Sequence, residues 1–370
     1  MKDFDLTYIS IDSISEGVGS SQILTLIEEL AKFKMSISLI TLEKKDTPLE
    51  IIKRLEVAKV NWIRLEFGRP GIIGGIARLF RLIRVIPSSR VIHGRSDIPT
   101  LAGILSRKGS VLWDVRSLWG QQRSQIRIRR FNPFISFLLE RIETINAHYS
   151  TAMTTLTNEI MPYLLEKHRK VPKIRGVIPT CVDLEKFCLK PLPEGDLHLL
   201  LSGSFNKYYD LDMMREVIFE FKRIQNLRVT WAKDSSSRLE ALGVGEDEIM
   251  SLMHSEMPKQ VEQSHFGLVL CKTNSGPSLL AAMPTKAAEF WATGRPILMS
   301  SGIGDLGFMC KEFKAGVIIE NNTSIGQAID QLLLLLLDPE TPNRCRDLAT
   351  KYFDMQTAAK TYFDIYQQIK

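Results

Sequence analysis

The 370 residues predict an α/β protein built as two tandem doubly wound domains that face each other across a cleft. Three observations lead there. At roughly 150 residues per domain the length gives two domains, each large enough for its own core. Short β-rich runs alternate with longer runs at helical spacing from the first residues onward, the rhythm of βαβ units and parallel sheets. A Pro- and Gly-punctuated passage, RGVIPTCVDLEKFCLKPLPEG (175–195), interrupts that rhythm, which then starts afresh. Hydrophobic residues at 44% and charged residues at 24% exclude disorder, collagen and a small disulfide scaffold.

In the first series the strands fall at 4–10, 37–43, 61–67, 90–94 and 110–115, with a further one inside 151–157. Helical patterns occupy about 20–34, 74–86, 98–107 and 133–147. The second series gives strands at 197–203, 227–233, 248–254, 266–271, 295–300 and 316–319, with helices between them. The expected domains are therefore 1–175 and 176–350, with a C-terminal helix over 351–370 that packs back on the first. Leu332 to Leu337 is too short to cross a bilayer and reads as a buried helix turn. The start MKDFDLTYIS carries acids where a signal peptide has a basic and then an apolar stretch, so a cytoplasmic protein is expected. Five scattered cysteines without a CxxC pair read as reduced, mostly buried thiols.

Charge divides the chain more sharply than its net value of +6 conveys: residues 1–190 hold 30 Lys/Arg against 19 Asp/Glu, and residues 191–370 hold 18 against 23. The first domain is thus basic, suited to an anionic lipid, a phosphorylated acceptor or another polyanion. Arg78, Arg81 and Arg84 recur at threes in GIARLFRLIRVI, a basic amphipathic helix fit for an anionic membrane or a lipid-linked acceptor, and Arg123 and Arg127 stand in a second arginine-rich stretch. Nucleic acid is the poorer partner, because no recognised binding module accompanies the charge.

Chemistry in such a fold belongs to strand-to-helix loops. SEGVGSS (15–21) follows the first strand, and its Gly17 and Gly19 allow a tight turn with free N–H groups at a helix start, a place for an anion. The loop has neither a full GxGxxG nor a Walker lysine, which argues against an NAD or ATP site. In MPTKAAEFWATGRPIL, Pro284 suits a first helical turn, Thr285 and Lys286 bring donors to it, Glu289 follows one turn later, and Gly294 is a stop. An anion at the helix start and a diol one turn on fit that spacing. His93, Arg95 and Asp97 in HGRSDIP, and Asp114 and Arg116 in VLWDVRS, form polar clusters at neighbouring strand ends expected to face the cleft. Asp210 and Asp212 resemble a metal-binding DxD but read as a helix cap, and no cluster has metal-ligand spacing.

The order of SEGVGSSQILTLIEELAKFKMSISLITLEK, IPTCVDLEKF and PTKAAEFWATGRPI resembles the retaining GT-B glycosyltransferases of glycosyltransferase family 4, and HGRSDIP, WDVRSLW and GSFNKYYDLDMM resemble a sub-group among bacterial polysaccharide enzymes. The resemblance covers the whole chain. It implies two Rossmann-like domains, a nucleotide-sugar donor on the second, a glycan or lipid-linked acceptor on the first, transfer with retained anomeric configuration, and no metal or other cofactor. Glu289 matches the second glutamate of the family's E-x7-E motif, which holds the ribose hydroxyls, while Ala281 stands where the first belongs. Pro284, Thr285 and Lys286 match the stretch that meets the diphosphate; Ser204 replaces the arginine of the family's Gly-Arg…Lys clamp, leaving Lys207 as a substitute. Asp114, with His93 beside it, matches the catalytic position that orients the sugar or supports an oxocarbenium-like transition state. The resemblance leads to polysaccharide synthesis at the inner membrane face. The changes at Ala281 and Ser204 motivate an alternative, a non-catalytic relative acting as a scaffold, and a nucleotide-sugar epimerase is a third reading.

Overall fold

The computed structural model describes residues 4–15, 17, 19–124, 132–202, 208–233, 249–251, 256–273, 276–320 and 324–369. They divide into two compact units, one of residues 1–179 with 355–370, the other of 180–354.

Unit 1 holds the strands β1 (Phe4–Ile9), β2 (Ile37–Glu43), β3 (Asn61–Glu66), β4 (Ser89–Arg95), β5 (Ser110–Val115), β6 (Ala152–Thr155) and β7 (Ile174–Val177). They form one parallel sheet in the order β3-β2-β1-β4-β5-β6-β7. The order reverses between β1 and β4, the switch point outside whose carboxyl ends a doubly wound sheet receives ligands. β2 is buried along its whole length, as a parallel strand covered on both faces must be. Its helices are α1 (Thr25–Ala31), α2 (Leu49–Val57), α3 (Gly71–Val85), α4 (Asp97–Ser106), α5 (Trp119–Ser124), α6 (Asn132–Tyr149) and α7 (Ile160–Lys167). α3, α4 and α6 lie side by side in one layer. Before α1 the chain makes a π-helical turn, Gly19–Leu24, where the sequence led us to expect plain helix. β7 overlaps the start of the Pro- and Gly-punctuated passage, where no strand was expected; it pairs with β6, from Ala152 against Ile174 to Thr155 against Val177.

Unit 2 holds β8 (Leu197–Ser202), β9 (Leu227–Lys233), β10 (Ile249–Ser251), β11 (Phe266–Val269), β12 (Ile297–Ser300) and β13 (Gly316–Ile319) in the parallel order β10-β9-β8-β11-β12-β13. Its helices are α8 (Leu211–Ile224), α9 (Met257–Glu262), the single turn α10 (Pro277–Leu280), α11 (Thr285–Ala292), α12 (Leu306–Phe313), α13 (Ile325–Leu337) and α14 (Thr341–Tyr352). Leu199, Leu201, Phe221, Phe266, Leu298 and Leu332 build its core, with the Phe221 and Phe266 rings stacked 4.9 Å apart. The leucine run is only partly internal: Leu332 is enclosed, but Leu334 and Leu337 point to solvent because the run wraps round the helix. Asp210 caps α8, its carboxylate accepting from the Met213 N–H at 3.1 Å. The last helix, α15 (Met355–Gln368), belongs to unit 1 and packs beside α1. All five cysteines are free thiols, four of them buried.

Candidate functional site

In unit 2 the polar groups converge at the start of α11. Pro284, with φ −62° and ψ 122°, supplies the extended residue from which the helix begins, and Thr180 fixes that entry by donating to the Met283 carbonyl at 2.6 Å. Gly294 ends the segment at φ +85°, a left-handed position that suits glycine. Between them Lys286 and Glu289, three residues apart on one face, are each only 7% exposed. Tyr209 lies over the ammonium, with Nζ 4.2 Å from the ring centroid. The ring is fixed from its backbone: Lys272 N–H donates to the Tyr208 carbonyl at 2.8 Å, and Asp210 N–H to that of Leu270 at 3.0 Å. Sequence reasoning quoted this tyrosine within a longer motif without giving it a role; its pairing with the end of β11 is a tertiary fact.

Burial governs both charges. It lowers the Lys286 ammonium to about 8, opposed by Cys271 and Glu289, and raises the Glu289 carboxyl to about 7, opposed by Lys286. No described residue hydrogen-bonds the Glu289 carboxylate, so its lone pairs remain for hydroxyl donors. A buried cation at a helix N-terminus beside such a carboxylate suits a ligand that combines an anion with a diol. Ala281 is enclosed at the end of α10 and contributes no polar group. Ser204 and Lys207 lie outside the described residues, as does Arg127.

In unit 1 the glycine loop is organised by Glu43 at the end of β2. Its buried carboxylate accepts from the Ser13 hydroxyl, from Ile14 N–H at 3.2 Å, from the Ser15 hydroxyl at 3.0 Å and from the Thr41 hydroxyl at 2.6 Å. Gly17 is exposed at φ +23°; at Gly19 a Cβ would stand 1.8 Å from the Ser13 carbonyl oxygen, so only glycine lets the turn approach the loop.

His93 and Asp114 do come together, and both side chains are fully enclosed. Asp114 accepts from Arg116 Nε at 2.7 Å, from His93 Nε2 at 3.2 Å and from the Thr154 hydroxyl at 3.0 Å. His93 Nδ1 meets the Tyr366 hydroxyl at 2.6 Å, and Arg116 donates to that of Tyr362 at 3.0 Å, both tyrosines on α15. Burial works to raise the Asp114 carboxyl, yet Arg116 and His93 hold it well below the usual carboxylate range. Burial lowers His93 against the pull of Asp114, which keeps the ring neutral, so Nε2–H donates to the carboxylate and Nδ1 accepts from Tyr366. Arg95 reaches Asp12 at 3.3 Å, and Arg95 and Arg116 each keep one buried Nη1 without a partner among the described residues.

The membrane arginines need correction. Arg78 donates to the carbonyls of Phe67 and Arg69 at 3.2 and 2.8 Å and covers the Phe67 ring, and Arg81 donates to the Phe67 carbonyl at 3.4 Å. They hold the loop before α3 through those carbonyls. Arg84 is exposed; Arg123 lies in α5. Among the described residues no group of three or more His, Cys, Asp or Glu is placed to share a metal ion.

No family model matches the chain, and no curated protein matches it. Solved structures do. Sucrose-phosphate synthase from Thermosynechococcus elongatus is 15% identical with a TM-score of 0.69, over 100% of this chain and 99% of that one. HepE from Anabaena, in complex with UDP and glucose, is 8% identical with a TM-score of 0.70, over 99% and 100%. WaaG, a glycosyltransferase involved in lipopolysaccharide biosynthesis, is 14% identical with a TM-score of 0.64, over 98% and 99%. At these identities the likeness concerns the fold, and the fold of this chain is that of the GT-B glycosyltransferases.

Proposed function

We propose that the protein is a retaining, metal-independent glycosyltransferase of the family 4 type, moving a sugar from a nucleotide-sugar to a glycan or lipid-linked acceptor in cell-surface polysaccharide synthesis. The observation that carries this reading is the buried Lys286–Glu289 pair at the start of α11. In it Glu289 accepts the two ribose hydroxyls, and Lys286 with the first N–H groups of α11 neutralises the diphosphate as it leaves. Solved neighbours support it: HepE was crystallised with UDP and with UDP-glucose. Asp114, enclosed and itself held by His93, acts as a positioning residue that aims Arg116, and Asp12 steadies Arg95; the free Nη1 donors of the two arginines suit an anionic acceptor. The enclosed Ala281 favours a second reading, a scaffold that binds a nucleotide without transfer.

The test is a thermal-shift panel with UDP, GDP, ADP and their sugars, followed by transfer assays with the best donor and determination of the product's anomeric configuration. A ligand at about 100 times its Kd stabilises by about 2.7 kcal/mol. Stabilisation with transfer and retention supports the enzyme. Stabilisation without transfer or hydrolysis supports the scaffold, and no stabilisation by any nucleotide rejects both.

A further inference from the structure

Strand register gathers polar side chains of unit 1 on one face of its sheet. Tyr8 of β1 pairs with His93 of β4, and Arg95, two residues on, pairs with Asp114 of β5. Side chains alternate along a strand, so these four share a side, at the carboxyl ends of β1, β4 and β5 where the strand order reverses. Arg116 joins them with its Nε 2.7 Å from the Asp114 carboxylate. Tyr8 is fully enclosed, and the side chains of Arg95 and Arg116 are 5% and 9% exposed. Three buried donor atoms in this group have no partner among the described residues: the Tyr8 hydroxyl, Arg95 Nη1 and Arg116 Nη1. They are neighbours, since burial raises the Tyr8 hydroxyl while both guanidinium groups pull it down. The charges do not balance either. Two guanidinium groups face one enclosed carboxylate, Asp114, because His93 is neutral and Asp12, beside Arg95, is 46% exposed. A buried cation without a counter-charge is costly.

We propose that Tyr8, Arg95 and Arg116 form a carboxylate site, and that the acceptor of the proposed transfer is an acidic sugar whose carboxylate rests on these three donors. The inference takes its reaction from the proposed transferase function, whereas the binding it describes needs no nucleotide. A carboxylate brings the single negative charge that the surplus calls for, and its oxygens offer about four lone-pair directions to the donors. The planar guanidinium fork matches that geometry. A phosphate monoester brings about −1.5 to −2, more than the surplus. The hydroxyls of a neutral sugar would leave the surplus as it is. Asp12 marks the edge at which solvent reaches the group.

The test is calorimetric titration of the whole protein, without nucleotide, with methyl glucuronide, its methyl ester and the 6-phosphate of methyl glucoside. The glucuronide is expected to bind, and the uncharged ester and the phosphate to bind about tenfold or more weakly. Tyr8→Phe removes only a hydroxyl that lacks a partner, so without ligand it should melt at the wild-type temperature or above and yet lose about tenfold in affinity for the glucuronide. Arg95→Gln leaves Asp12 to solvent, so it should keep the fold and lose at least as much affinity. No binding of the glucuronide, equal binding of acid and ester, preference for the phosphate, or undiminished affinity in either variant would each overturn the proposal. Glucuronide binding by a protein that no nucleotide stabilises would uphold the site and reject the transferase reading; nucleotide-dependent transfer to neutral sugars alone would do the reverse.

Discussion

Glu289 is a carboxylate enclosed beside an ammonium and short of hydrogen bonds, a condition that costs stability in the free protein. Its folded value of about 7 lies above the unfolded 4.5, so the folded state binds more protons in that interval and stability falls as pH rises through it. Glu289→Gln should flatten that slope, a difference of up to about 3 kcal/mol between pH 4 and 8 by urea unfolding. The same variant should bind nucleotide more weakly by about 1–3 kcal/mol in titration calorimetry, through the loss of charge-assisted bonds to hydroxyls. Unchanged affinity would remove Glu289 from the donor site. Asp114 has the opposite sign: held below its usual value, it stabilises at neutral pH and ceases to as pH falls into the acid range. Asp114→Asn strands the buried Arg116 guanidinium and should cost about 3–5 kcal/mol in chemical denaturation, a loss that a ligand-facing role would not produce.

Elements add constraints that no single side chain reveals. α11 was legible in the sequence because local chemistry brackets it, Pro284 at the entry and Gly294 at the exit, and the Lys286–Glu289 spacing follows from helix geometry alone. Asp210 as a cap was legible for the same reason. β7 was not: RGV opens the punctuated passage that interrupts the strand–helix rhythm, and its strand state comes from pairing with β6. Nor was the direction of Arg78 and Arg81, which the carbonyls at 67 and 69 decide, or the enclosure of His93, which depends on tyrosines 269 and 273 residues further along the chain. The glycine loop supplies a prediction at this scale. Gly19→Ala drives a methyl into the Ser13 carbonyl, so the turn must move away from the Glu43 network. We expect a drop in melting temperature of several degrees, from about 1–3 kcal/mol of overpacking, and weaker sugar transfer. A wild-type melting curve would show that the approach is dispensable.

At the scale of the whole molecule the two sheets should respond to a ligand unequally. If the proposed nucleotide site at α11 is right, a bound nucleotide stabilises unit 2 directly, so hydrogen exchange should slow in α11 and its strands β11 and β12 while β1 and β4 of unit 1 stay nearly unchanged. Equal slowing in both units would argue for a different site. The arrangement of the chain also has a bearing on its own synthesis. Unit 1 is discontinuous: its sheet is complete at Pro179, but the helix that closes over His93 and Arg116 is α15, which follows all of unit 2 in the chain. At about 5–20 residues per second a ribosome needs some ten seconds or more to make the intervening segment, and throughout that interval the first sheet waits with a polar, unsealed face. Tyr362 and Tyr366 are made only after the whole of unit 2, so the first domain cannot close over His93 and Arg116 until the second has been synthesised, and a fault that stalls synthesis within unit 2 leaves both domains unfinished.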